Sequence, residues 1–284
     1  MTSWAVDGEA RPMSGIDLDA YLARIGYAGE LAPDLPTLRA LHRAHLLAVP
    51  YENLDVQLGR PLTTDPAAAF DKIVRRRRGG WCYEMNGAFG LVLEAIGFPV
   101  ARLAGAVMRE ALGAANHASH LVLKVDLDET WLADVGYGDG PIEPFQPGEG
   151  PYHQRGFAFG RERTEDGWWR MRNHRFAPRS FDVRLEPADE AELAGKCAQL
   201  QTSPTSVFVQ HAIVQRHTPD GIVLLRNRTL RRIWPDRAEE QPVESAAQYV
   251  ALLQDLFGLD LPEAADLWPR ICAQHEASLA PAAG

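Results

Sequence analysis

Cysteine is scarce in this chain: Cys82, Cys197 and Cys272 are the only thiols in 284 residues. No CxxC pair occurs and no Cys/His group has zinc-site spacing, which disfavours a disulfide framework and a structural metal. Long apolar runs are also missing, none approaching the roughly 20 residues of a membrane span. Residues 1–10 have neither the basic start nor the apolar stretch of a secretory leader. A soluble, cytoplasmic protein without membrane association is expected, with 1–15 as a disordered leader. Positive charge is in deficit. Lys and Arg number 29 against 38 Asp and Glu, a net charge of −9, whereas a nucleic-acid binder normally carries a basic excess. Internal repeats and low-complexity linkers are absent, which argues for zones packed as one unit.

What is present falls into a helical third followed by strands. Leu18, Tyr21, Leu22 and Ile25 recur at helical spacing before Gly26. Further helices are predicted over 36–47, over 65–78 behind the N-cap Asp65, and from Cys82 through Phe89, Leu93 and Ile96 to Gly97. After Val100 the period shortens, and strands are predicted over 101–108, 120–126, 130–135, 155–161, 167–173 and 181–185. Short strands in series suit a small barrel or curled sheet. A helix over 187–201, a strand pair over 207–215 and 221–226, and helices over 246–257 and 261–275 complete an α+β chain.

The segment richest in chemistry is Arg78-Gly79-Gly80-Trp81-Cys82-Tyr83-Glu84-Met85-Asn86. Arg75 to Arg78 fit the last turn of the 65–78 helix, where cations complement the negative helix end, with Gly79 just beyond it. Cys82 opens the next helix, whose dipole favours a thiolate, the nucleophilic form. Cys197 and Cys272 lie in helical apolar–polar patterns and read as buried inert thiols. A cysteine nucleophile needs a base and an orienting carboxylate. His120, at the head of one predicted strand, and Asp134, near the end of the next, supply them across a hairpin. With the turn centred on Leu127 they face each other, Cβ atoms ~4.5–5.5 Å apart; another register leaves them diagonal and still within reach. His117 is a rival base, in the loop before the strand, where most histidines are solvated. The Tyr83 amide can hold an oxyanion, or Tyr83 only packs. Gly136, Gly138 and Gly140 follow Asp134, either as a plain turn or to let backbone approach a ligand.

These segments resemble the arylamine N-acetyltransferase family. Its RGG(Y/W)C(F/Y)E–N element matches 78–86, its (T/S)H–LLLV strand 119–125 and its ADVG(F/Y)G element 133–138. Its Pro-Phe-Glu-Asn-Leu-Asp signature stands here as Pro50-Tyr51-Glu52-Asn53-Leu54-Asp55. The likeness spans about residues 16–270 and is strongest in the first half. It implies a helical bundle over 16–100 carrying the nucleophile, a central β-barrel over 101–200 carrying the histidine and aspartate, and a C-terminal α/β lid over 201–284. The core would be a cysteine-protease-like Cys-His-Asp arrangement. The resemblance further implies acetyl-CoA as acyl donor, an arylamine, arylhydroxylamine or hydrazine as acceptor, no metal, and a monomer or homodimer.

By the same resemblance Cys82, His120 and Asp134 take the catalytic positions. Gly136, Tyr137, Gly138, Gly140 and Ser206 fall at coenzyme positions. Tyr51 and Phe208, otherwise core residues, fall at acceptor-pocket positions, and Glu52 pairs with Arg78 beneath the cysteine helix. Two departures stand out. The gap from His120 to Asp134 is about a residue short, in the turn, and Asp139 puts an acid where coenzyme phosphate would lie. Three alternatives use the same residues: a papain- or transglutaminase-like cysteine hydrolase, a macrolactam-forming amide synthase of the same fold, and a CoA-binding module with an idle triad.

Overall fold

Capping residues set the first third. In the computed structural model, which describes residues 16–177 and 179–279, α1 (Leu18–Ile25) begins where Asp17 accepts from the Ala20 amide and stops at Gly26, in the left-handed region. The leader predicted over 1–15 lies outside the described residues. α2 (Leu35–Ala48) starts behind Asp34. β1 (Tyr51–Glu52) and the single turn α3 (Leu54–Gln57) follow. α4 (Pro66–Phe70) is capped by Asp65 and runs into a π-helical turn, Asp71–Arg75.

Here the expected helix to Arg78 is corrected. The wider turn ends at Arg75, and Arg77 takes a left-handed φ of 51°. Gly79 is not a helix cap. It is small because a Cβ there would collide with the Pro50 carbonyl oxygen where β1 passes alongside. α5 (Cys82–Ile96) then runs to a left-handed Gly97.

Seven antiparallel strands form the next layer: β2 (Val100–Val107), β3 (His120–Asp126), β4 (Thr130–Ala133), β5 (Gly150–Gln154), β6 (Phe157–Arg163), β7 (Trp169–Arg172) and β8 (Ser180–Val183). A single turn, α6 (Arg109–Leu112), follows β2. The spatial order is β4-β3-β2-β8-β7-β6-β5. Leu103, Val122, Leu132, Phe159, Met171 and Phe181 share one buried cluster. Side chains from across the whole order meet there, so the sheet curls around them. Among the described residues its two ends, β4 and β5, form no ladder with each other, so it is a half-barrel: the curled sheet of the two forms the strand pattern suits, and not the barrel the resemblance implies. β5 escapes the sequence reading because Gly150 and Pro151 look like turn residues.

α7 (Glu190–Thr202) leads to α8 (Val207–Gln210), where a strand is predicted. The Ser206 hydroxyl accepts from the Phe208 amide and starts a helical turn instead, which delays β9 (Ile213–His217). With β10 (Ile222–Arg226), β11 (Thr229–Ile233) and β12 (Ala238–Pro242) it forms a meander, and β1 joins beside β9. A strand from the helical third is thus built into the C-terminal sheet and ties the two zones together. α9 (Ala246–Phe257) and α10 (Trp268–Leu279), separated by a 3₁₀ turn over Pro262–Leu267, cover that sheet through Tyr249, Leu253, Phe257 and Ile271. No helix among the described residues is long and apolar enough to cross a membrane.

The core also sets an acid limit. Burial pushes His42, His45 and His217 down to about 4, 3 and 3 from an ordinary 6.5. They are neutral in the fold and bind protons more readily when unfolded. Their contribution is whole above pH 6.5 and is lost as the pH falls through those values. Glu84, held up to about 7 by burial, opposes them over a narrower range. Denaturant midpoints are expected to fall between pH 6.5 and 4, by stability changes on the order of several kcal/mol. Midpoints flat across that range would contradict buried neutral imidazoles.

Candidate active site

Five buried charges anchor the helix that carries Cys82. The Trp81 amide donates to Glu84 Oε2 at 3.3 Å, and Lys72 Nζ donates to both Glu84 oxygens at 2.9 and 3.0 Å. Lys72 also pairs with Asp55 at 2.8 Å. Arg78 donates to Glu52 Oε1 from Nε and Nη2, at 3.1 and 2.7 Å, and its Nη1 lies 3.1 Å from Asp55. The Glu52–Arg78 pair is therefore one edge of a larger cluster. Burial pushes Glu84 up to about 7, with Lys72 limiting the rise. Removing one member of such a cluster would leave an uncompensated buried charge, a cost of about 3–5 kcal/mol.

Cys82, the first residue of α5, is buried against the start of β3, with Sγ 3.9 Å from the Ser119 carbonyl oxygen. In the hairpin, Leu123 lies opposite Ala133 and Asp126 opposite Thr130. The turn is thus centred on Asp128, not Leu127, and His120 and Asp134 are diagonal. They still meet, with His120 Nε2 2.7 Å from Asp134 Oδ2. Burial opposes charge on His120, but the Asp134 carboxylate, its hydrogen bond and the adjacent Cys82 outweigh it and push the ring up to about 10. Burial likewise favours a neutral Asp134, yet His120, Asn86 and the Gly136 amide hold it below the usual carboxylate range. The Tyr137 and Phe181 rings flank the imidazole at centroid distances of 5.4 and 5.0 Å.

Two further residues hold Asp134 that the sequence reading does not assign. Asn86 Nδ2 donates to Asp134 Oδ1 at 2.7 Å and to the Leu121 carbonyl at 2.6 Å, while its Oδ1 accepts from the Val135 amide. The available signal is its place four residues after Cys82, on the same helix face. His42 gives no such signal. Its Nε2 accepts from the Asp134 amide at 3.0 Å and its Nδ1 donates to the Ile142 carbonyl at 2.9 Å, the neutral tautomer that its depressed pKa requires.

A cavity of about 360 Å³ opens over the thiol. Cys82, His120, Tyr51, Phe208, Gly136, Tyr137 and Ser206 line it; Gly138 and Gly140 do not. Gly138, with φ of 82°, packs instead on Gln215. Phe208 is held by its carbonyl, which accepts from Asn53 Nδ2 and Gln57 Nε2, and its ring meets Trp81 at 5.0 Å. The Tyr83 hydroxyl is committed to the Ala118 carbonyl at 2.7 Å. His117, the rival base, meets the Trp168 ring edge-on and lies 3.4 Å from Glu192, and it is absent from the cavity lining. A larger, more open depression beside Pro33 and Trp131 contains none of these groups. Cys197 is buried and burial pushes its thiol up to about 12, as an inert cysteine requires, whereas Cys272 is only half-buried and not buried as expected.

Gly136 fixes how closely the Asp134 loop approaches the nucleophile. A Cβ there would sit 2.7 Å from Asn86 Nδ2 and 2.8 Å from Cys82 Cα, and the second contact is backbone that cannot yield. Gly136→Ala is expected to lower both the thermal midpoint and the acyl-transfer rate, the latter by about 100-fold, the effect of roughly 1 Å of misplacement. A fully active, equally stable variant would show that this approach is not needed.

A thiol, an imidazole and a carboxylate gathered at one cavity suit thiol-based acyl chemistry. A family model described as N-acetyltransferase matches residues 34–266. The chain is 36% identical to the arylamine N-acetyltransferase of Mycolicibacterium smegmatis over 265 residues, 88% of this chain and 94% of that one. It is 34% identical to the Escherichia coli K12 protein of the same name over 263 residues, 87% and 90% of the two chains. The Mycobacterium marinum arylamine N-acetyltransferase, solved in complex with CoA, matches with a TM-score of 0.82 at 31% identity, covering 91% of this chain and 98% of that one. The chain belongs to the arylamine N-acetyltransferase family.

Proposed function

We propose that this protein transfers the acetyl group of acetyl-CoA to arylamines, arylhydroxylamines or hydrazines by a ping-pong route through an acetyl-Cys82 intermediate. The observation that carries it is a buried chain of three groups at one cavity: Asp134 bound to His120 Nε2, and His120 beside a thiol at a helix N-terminus. Nε2 is committed to the carboxylate, which leaves Nδ1 for the thiol.

The Cys82 thiolate attacks the thioester carbonyl, and the oxyanion that forms is held by the Tyr83 amide in the first turn of α5. Collapse breaks the C–S bond to the coenzyme, and the His120 imidazolium gives its proton to the departing thiolate. The neutral amine then attacks the acetyl-cysteine, His120 takes its proton, and the Cys82 thiolate is released. Thioester exchange is nearly balanced in energy, so a cysteine suits this donor. Aromatic amines are weakly basic and stay nucleophilic at neutral pH. Gly136, Tyr137 and Ser206 would border the donor's arm, and Tyr51 and Phe208 the acceptor ring. Free-coenzyme release beyond one equivalent per protein is expected to depend on added arylamine. Peptide cleavage without coenzyme would favour a hydrolase instead.

A further inference from the structure

Arg179 is the one permanently charged cation among the described residues lining the Cys82 cavity, and no step above uses it. Its Nη2 donates to Asp139 Oδ2 at 3.1 Å, and the guanidinium lies 5.9 Å from the centroid of the Tyr137 ring. Asp139 is itself 1% exposed, and its other oxygen accepts from Asn173 Nδ2 at 2.9 Å. The acid that looks misplaced in the sequence thus serves to fix this arginine. A guanidinium has five donors in a rigid fork. Although flanked by Tyr137 and Asp139, Arg179 keeps 45% of its side-chain surface open.

One buried polar atom beside it, the hydroxyl of Tyr137 in the same cavity lining, has no protein partner among the described residues. Buried polar atoms are normally satisfied, so unpartnered ones in a cavity wall mark where a ligand's polar group belongs. The rest of the lining includes Val107, Leu200, Val207 and Ile213, which suit an uncharged ring or chain.

We infer that Arg179 and the Tyr137 hydroxyl form a subsite for a negatively charged group brought to Cys82, either a carboxylate on the aromatic acceptor or a phosphate of the coenzyme. This rests on the acetyl-transfer reading above. A guanidinium oriented by a buried carboxylate and adjoined by a free hydroxyl donor binds an oxyanion through charge-assisted hydrogen bonds, and a neutral analogue gains nothing from it.

The test compares wild type, Arg179→Gln and Arg179→Lys. The acceptors are 4-aminobenzoate and its uncharged ethyl ester; the donors are acetyl-CoA and the phosphate-free S-acetyl-N-acetylcysteamine. Arg179→Gln is expected to raise KM about tenfold or more for an anion-bearing partner only, with kcat little changed. Arg179→Lys should recover part of the loss. A rise confined to 4-aminobenzoate assigns the subsite to the acceptor, and one confined to acetyl-CoA assigns it to the coenzyme. Equal changes for charged and neutral partners, or no change in any arm, would overturn the subsite while leaving acetyl transfer standing. A wild-type protein that acetylates neither amine would overturn the underlying reading with it.

Discussion

Cys82→Ser is expected to lower acetyl transfer by roughly 10⁴-fold or more while leaving the fold intact. The hydroxyl nearly matches the thiol in shape but does not ionise beside an imidazolium at neutral pH. The stability effect is small because serine fills nearly the same volume and its hydroxyl can still reach the Ser119 carbonyl, which lies 3.9 Å from Sγ. Turnover of acetyl-CoA with an arylamine, read beside the thermal midpoint, separates the two effects. Substantial turnover in the variant would remove the nucleophile from the mechanism.

Asp134→Asn should cost about 10³- to 10⁴-fold, and the geometry says why. Asp134 Oδ1 accepts from both Asn86 Nδ2, at 2.7 Å, and the Gly136 amide, at 3.0 Å. An amide placed there must keep its oxygen toward those two donors and turn its NH₂ toward His120 Nε2. That nitrogen must then accept, so the ring's proton moves to Nδ1, where it cannot take a proton from the thiol. The pH profile should shift as well. His120 is raised to about 10 against the effect of burial, chiefly by the Asp134 carboxylate. The imidazolium, and the rate that depends on it, persists below that value in the wild type and is lost as the pH rises through it. In the variant this alkaline limb should move toward neutral pH. An unmoved limb, or a rate near wild type, would show that Asp134 neither charges nor orients the ring.

Much of this site is legible in the sequence because its parts lie in regular elements with clear punctuation. α5 runs from Cys82 to Ile96 and ends at Gly97, and β3 runs from His120 to Asp126, both as the local patterns predict. α9, from Ala246 to Phe257, behaves the same way. What escapes is non-local. β1 is two residues long and exists because it pairs with β9, more than 160 positions away. β11 and β12 carry Arg231 and Arg232 opposite Glu240 and Glu239, so cross-strand ion pairing stands where apolar alternation would reveal strands. The hairpin register depends on one residue in its turn, which periodicity does not resolve. His42 and Arg179 act through contacts with segments far along the chain, and nothing in their own neighbourhoods announces those partners. The Asp71–Arg75 π-turn breaks a helix whose sequence reads as continuous.

The proposed route depends on one sulfur accepting and passing on an acetyl group. The most direct measurement is the mass of the protein, and of its peptides, after brief exposure to acetyl-CoA without acceptor. The predicted result is a single acetyl group on the Cys82 peptide that disappears when an arylamine is added. No adduct, or an acetyl group on another residue that persists with the amine present, would contradict it.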